Sequence, residues 1–215
     1  MRHITARRSL VAAMDELGQA GLNQGASGNV GLRVPGGLLI TPSGVPYEQL
    51  RPGDLVEQDM EGGVVQGRLR PSSEWRFHRD ILAAYPETDA VVHVHSPYAT
   101  ALACLNRPIP AFHYMVAVAG GMEIPLAPYA TFGSQELSDQ LLAAMGDLRA
   151  CLLANHGLVV RATGLEQALG LAREVENLAR QYLLALQAGD PVLLGLEEME
   201  RVLERFAGYG PGGGD

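Results

Sequence analysis

Lysine is absent from this chain of 215 residues, so all 16 of its basic residues are arginine. Chemistry through a lysine Schiff base is therefore excluded at the outset. Cysteine is scarce. Cys104 and Cys151 have neither the close spacing of a redox pair nor that of metal ligands. They read as reduced, buried residues of a cytoplasmic protein. No apolar run reaches the length of a membrane span. The basic stretch from Met1 to Ser9 is not followed by an apolar signal core or a small-residue cleavage site. Positive charge is also in short supply, with 24 acidic residues giving a net charge of −8. That balance argues against a nucleic-acid or anionic-membrane partner. An anionic substrate would need local help from a metal ion or from backbone amides.

The length suits one domain, expected over residues 1–207, with a mobile Gly-rich tail over 208–215. Leu10, Val11, Met14 and Leu17 fall at helical spacing, and Gly21 suits the stop. Val30, Leu32 and Val34 alternate as in a strand and turn through Pro35-Gly36-Gly37 into Leu38-Leu39-Ile40. Leu55 to Asp59 and Val64 to Gln66 flank Gly62-Gly63 as a second hairpin. Ser72 or Ser73 is expected to open a helix ending before Pro86. Ala90 to His95 reads as a strand, and Ser96-Pro97 as the cap and first residue of a helix. Gln135 to Met145 is amphipathic, and Cys151–Leu153 and Leu158–Val160 are short buried strands. Thr163 with Glu166 fits a capping box opening a helix to about Gln187, and Leu196 to Phe206 forms the last helix. Ala111 to Ala119 is ambiguous between helix and strand. The pattern predicts a mostly antiparallel sheet covered by helices, not a strict βαβ repeat.

His93 and His95 stand two apart on the expected strand, so both imidazoles project from one face, with backbones roughly 7 Å apart. Such a pair either converges on a metal ion or bonds to the backbone. His156 sits in a polar loop between two apolar strands, suiting a ligand or a plain turn histidine. Glu74 follows Ser72-Ser73 at a helix start, where the helix dipole favours a carboxylate whatever its role. Three histidines and one carboxylate would saturate tetrahedral zinc, so a catalytic site would have to release one of them. His78, one turn beyond Glu74, is a further ligand or, on the simpler reading, packs beneath the helix beside Trp75 and Leu82. Three small-residue loops could bind a phosphate or merely turn the chain: Gly25 to Asn29, Thr41 to Gly44 and Pro71 to Ser73. Charged residues from Arg173 to Arg180 are spaced for pairs on the solvent side of a helix.

As an ordered set, several segments resemble the class II aldolase/adducin family. They are Gly21 to Gly25, Gly28-Asn29, Leu39 to Gly44, Pro46-Tyr47-Glu48, Pro71 to His78, Val91 to His95, His113-Tyr114-Met115, Ala127 to Gly133 and His156-Gly157-Leu158. The resemblance covers nearly the whole chain and lies closest to the family's aldolase branch. It implies a three-layer α/β/α fold with a central, mostly antiparallel sheet. It implies one zinc ion per subunit held by Glu74, His93, His95 and His156. Phosphate contacts would come from Asn29, Ser43, Gly44, Ser72 and Ser73. Glu74 would act as base, Tyr114 would serve a neighbouring subunit's site in a homotetramer, and Tyr209 would close over the site from the tail. The activity implied is cleavage of a sugar phosphate, L-fuculose 1-phosphate or a close ketose 1-phosphate, to dihydroxyacetone phosphate and L-lactaldehyde through a zinc-stabilised enediolate.

Two departures stand out. No basic residue follows Tyr209 in the tail, and Ser43 stands where threonine is also common. A pentose-phosphate 4-epimerase of the same family would need an aspartate base soon after the metal histidines, and none lies between Asp89 and Asp139. A dehydratase acting on a methylthio sugar phosphate is a second alternative, against which Tyr114 and the Ala127 to Gly133 stretch favour the aldolase. A non-enzymatic adducin-like scaffold should have lost the metal histidines.

Overall fold

The computed structural model describes residues 1–207. One sheet of eight strands organises them: β1 (Asn29–Val34), β2 (Gly37–Ile40), β3 (Val56–Asp59), β4 (Val64–Gln66), β5 (Ala90–Val94), β6 (Leu126–Ala127), β7 (Ala150–Leu153) and β8 (Gly157–Ala162). Their order is β4-β3-β2-β1-β5-β8-β7-β6. Every neighbouring pair is antiparallel except β6 with β7. The two hairpins form where the Gly-containing turns place them.

Among the described residues there are six helices, α1 (Ile4–Gln19), α2 (Trp75–Ala84), α3 (Pro97–Cys104), α4 (Gln135–Met145), α5 (Leu165–Ala188) and α6 (Leu196–Ala207). Strand alternation divides the core in two. Val30, Leu32, Val92 and Val160 pack with residues of α1, α3 and α5. Leu38, Ile40, Val91 and Val159 pack with Phe77 and Ile81 of α2 and Leu141 and Met145 of α4. Since successive strand residues face opposite sides, this partition yields helices on both faces of one sheet, the expected three layers.

Several local expectations need correction. The second helix begins at Trp75, not at Ser72 or Ser73. The reason is a short bridge between Pro42 and Pro71, with the Ser72 amide bonded to the Thr41 carbonyl at 2.9 Å, which holds this stretch extended. Glu74 is thereby left at the N-cap. The Thr163–Glu166 capping box does not form. Gly164 occupies the N-cap, so Thr163 stands one residue too early, and its hydroxyl donates to Gln167 Oε1 instead. Ser96 is the N-cap of α3 but makes no capping bond; the Tyr98 and Ala99 amides donate to the Glu176 carboxylate of α5, each at 2.8 Å. Residues Arg173 to Arg180 thus do more than pair on a solvent face: Glu176 ties α5 to α3, and Arg173 pairs with Glu16 of α1. Cys151 is buried as expected, but Cys104 is exposed. The ambiguous segment resolves as a 3-10 turn over Tyr114–Ala119, and β6 carried no sequence signal.

Candidate metal centre

Register builds the site. Asn29, first residue of β1, stands directly opposite His93 on β5, and His93 in turn stands opposite Val159 on β8. His95 lies one residue past the end of β5. The tight β7–β8 connection, with Asn155 in the left-handed region at φ 54°, delivers His156 to the same end of the sheet. Glu74 arrives from the helical layer at the N-terminus of α2. The four ligand atoms of Glu74, His93, His95 and His156 all lie within 4.8 Å of one another.

The three imidazoles are arranged as a tripod. Their centroids are 4.8, 4.8 and 5.0 Å apart, and the rings meet edge-on at 73° to 74°. His93 Nδ1 lies 3.0 Å from the Leu158 carbonyl oxygen, which only accepts, so Nδ1 carries the proton and Nε2 offers its lone pair. That lone pair faces His95 Nε2 at 2.9 Å and Glu74 Oε2 at 3.3 Å, while Glu74 Oε1 lies 3.1 Å from His156 Nε2. Burial holds the His93 imidazole down at about 3, in its neutral, ligating form. For Glu74, burial pushes the pKa up, but the attraction of His93, the contact with His156 and the bond from Asn29 together hold it below the usual carboxylate range. An ionised carboxylate and three imidazole nitrogens aimed at one point form a donor set suited to a divalent transition metal. The residues present fit such an ion.

The cluster opens on a cavity of about 310 Å³. Its walls bring the three small-residue loops together: Gly28 and Asn29 from the first, Ser43 and Gly44 from the second, Ser72 and Ser73 from the third. Sequence spacing alone could not show that these loops share one space. Tyr129, Phe132 and Asn155 also line the cavity and were not among the expected site residues. Two of them lie in a segment the family resemblance includes, Ala127 to Gly133, where Tyr129 and Phe132 are 62% and 66% exposed. Asn23 is another omission; its side-chain oxygen accepts the His95 amide at 3.1 Å, fixing the end of β5. Tyr114 is not in this cavity. It lies half-exposed on a separate groove with Phe112, Met115, Val202 and Phe206. Tyr209 lies outside the described residues. His78 is fully buried and its Nε2 faces Asn29, not the ligand cluster.

Gly157 leaves no room for a side chain beside the centre. A Cβ there would lie 2.4 Å from the Val94 carbonyl oxygen and 3.2 to 3.3 Å from carbons of the His95 and His93 rings. The backbone contact cannot yield without moving β5 against β8. Gly157→Ala is therefore expected to lower stability by about 1–3 kcal/mol and to weaken metal binding by spreading the tripod. Thermal unfolding and metal titration of the variant check both.

Residues 8–183 match the family described as Class II Aldolase and Adducin N-terminal domain. The chain belongs to that family. A 5-methylthioribulose-1-phosphate/5-deoxyribulose-1-phosphate aldolase of Rhodospirillum rubrum is 54% identical over 207 residues, 96% of this chain and 93% of the relative. An L-fuculose phosphate aldolase of Escherichia coli (strain K12) is 49% identical over 204 residues, 94% of each chain. Among solved structures, an L-fuculose 1-phosphate aldolase superposes with a TM-score of 0.90 at 40% identity, covering 94% of this chain and 95% of that one. Aldol cleavage of a sugar phosphate is the common ground of these relatives. They also extend the expectation: a methylthio sugar phosphate, considered above only as a dehydratase substrate, is the named substrate of an aldolase.

Proposed function

We propose that this protein is a zinc-dependent aldolase that cleaves a ketose 1-phosphate to dihydroxyacetone phosphate and a short aldehyde with an apolar end. The observation carrying this reading is the single cavity in which the Glu74–His93–His95–His156 cluster faces the Asn29, Ser43, Gly44, Ser72 and Ser73 loops. The three substrates named among the relatives are consistent with it. Cleavage between the third and fourth carbons leaves the same three-carbon phosphate from each. The remainder is lactaldehyde from fuculose 1-phosphate, acetaldehyde from 5-deoxyribulose 1-phosphate, and methylthioacetaldehyde from the methylthio sugar. All end in an uncharged apolar group, which suits a cavity rimmed by Tyr129 and Phe132.

The chain's residues divide the work. Hydroxyls and amides of the three loops hold the phosphate without a basic side chain, as preorganised dipoles do at helix starts and backbone nests. The bound ion supplies Lewis-acid stabilisation of the negative charge that develops beside the carbonyl. In the condensing direction, Glu74 swings from the histidines and takes the proton from the hydroxymethyl carbon of dihydroxyacetone phosphate. Once clear of the ligand cluster, the carboxylate has both oxygens free to accept that proton. The carbanion then attacks the aldehyde, and a tyrosine hydroxyl protonates the new alkoxide; cleavage runs the reverse. The test is a panel of the three ketose 1-phosphates, with products identified by NMR. Release of dihydroxyacetone phosphate supports the reading, and an inverted or dehydrated product overturns it. The ratio of kcat/KM values across the panel assigns the preferred aldehyde.

We assign the alkoxide proton to Tyr114 of a neighbouring subunit in a homotetramer. Tyr114 lines a groove apart from its own chain's cavity, so a second copy is its route to a reacting atom. The groove combines apolar Phe112, Met115, Val202 and Phe206 with Glu198, Arg201 and Arg205 along α6, an apolar floor with a charged rim such as interfaces carry. Tyr114→Phe and His93→Ala subunits, each inactive alone, are then expected to recover activity when co-refolded. A verified mixed tetramer without recovery would place Tyr114 outside the shared site.

A further inference from the structure

We propose that His78 is a positioning residue for Glu74: its Nε2–H fixes the Asn29 side-chain amide so that Asn29 Nδ2 donates to the Glu74 carboxylate. The inference rests on the reading of Glu74 as base. The chain of contacts is short and buried. His78 Nε2 lies 2.5 Å from Asn29 Oδ1, and Asn29 Nδ2 lies 2.9 Å from Glu74 Oε2. All three residues are at most 6% exposed.

Hydrogen-bond logic assigns every proton in the chain. An ionised carboxylate only accepts, so Asn29 must present its NH2 group to Glu74. Its carbonyl oxygen then faces His78, which must donate from Nε2. The other ring nitrogen, Nδ1, is buried with no hydrogen-bond partner. It rests against the backbone of β1, where a Cβ on Gly31 would lie 2.7 Å away. An apolar ring stacked on Phe77, as His78 is at 4.7 Å, would fill this space without leaving a polar atom unpaired. The single bond to Asn29 is what histidine adds over such a ring.

The consequence is specific to the reaction. Asn29 also lines the cavity, and its Nδ2 carries a second hydrogen beyond the one given to Glu74, a donor for the substrate phosphate on the proposed reading. With Oδ1 held by His78, the amide cannot invert when the phosphate arrives or when Glu74 leaves the histidines. Phosphate and base are then referred to one rigid group.

The test uses the metal-loaded full chain and solvent deuterium uptake into dihydroxyacetone phosphate. His78→Phe is expected to lower the saturated exchange rate by up to about tenfold, the loss of one neutral hydrogen bond that orients Asn29, with a smaller change in KM. His78→Gln, which restores a donor at similar reach, should recover most of that rate. In an Asn29→Ala background, His78→Phe should cause no further loss, whereas a purely structural role would give additive effects. An independent readout is the ring nitrogen-15 spectrum of wild-type His78, which should report a neutral Nε2–H tautomer even if His78→Phe fails to fold. An Nδ1–H tautomer, an unchanged exchange rate in His78→Phe or additive losses would overturn the proposal. A wild-type protein that exchanges no deuterium would instead sink the aldolase reading, and the tautomer would still test His78.

Discussion

Replacing Glu74 by glutamine is expected to slow proton exchange at the hydroxymethyl carbon of dihydroxyacetone phosphate by about 10²–10⁴-fold, the range set by loss of a positioned general base. The side chains have the same length and branching, and Glu74 makes no capping bond with its side chain, so α2 has no reason to unwind. What changes is the ability to accept a proton. Glutamine is also a weaker ligand, so the metal content of the variant must be measured and the rate normalised to it. Loss of the hydroxymethyl proton signal in deuterium oxide reads the exchange directly, without any aldehyde present. Unchanged exchange at equal metal content would move the base to another group.

His93→Ala should have the larger effect. The ring is fully buried, donates through Nδ1 to Leu158 and offers Nε2 to the centre of the tripod. Loss of an outer hydrogen-bond partner of a ligand already costs 10–100-fold in metal affinity or activity. Loss of the ligand itself is expected to cost more than ~100-fold in affinity and to reduce turnover to background. His113 provides the control, since its Nδ1 accepts the Met115 amide at the start of the 3-10 turn and it takes no part in the ligand cluster. His113→Ala should keep its metal. Elemental analysis of the two variants after dialysis separates them. Full metal occupancy in His93→Ala would remove this residue from the ligand set.

Much of the sheet was legible because it alternates. Val30, Leu32 and Val34 gave β1, and Gly36 and Gly62, both at positive φ, sit in the turns of the two hairpins. The α4 boundaries followed from its amphipathic period. Two of the misses share a cause, which is that partners distant in sequence replaced local ones. Glu176, 77 residues from Ala99, caps α3 in place of Ser96. A bridge between Pro42 and Pro71 delays the start of α2 and so creates the N-cap position of Glu74. In the site, periodicity showed that His93 and His95 share a face, but not that Asn29 stands opposite His93 or that three loops share one cavity. The family resemblance supplied that grouping. The packing of His78 beneath the helix was legible from its spacing, but its bond to Asn29 was not, because that partner lies 49 residues away.

Titration of metal-stripped protein with zinc tests the central claim most directly, with release of dihydroxyacetone phosphate from the ketose 1-phosphates as the readout. If Glu74, His93, His95 and His156 hold the ion that the reaction needs, the stripped protein is inactive. Activity then rises linearly and breaks at one equivalent of zinc per chain. Full activity in the stripped protein, or a rise with no break near one equivalent, would contradict the account.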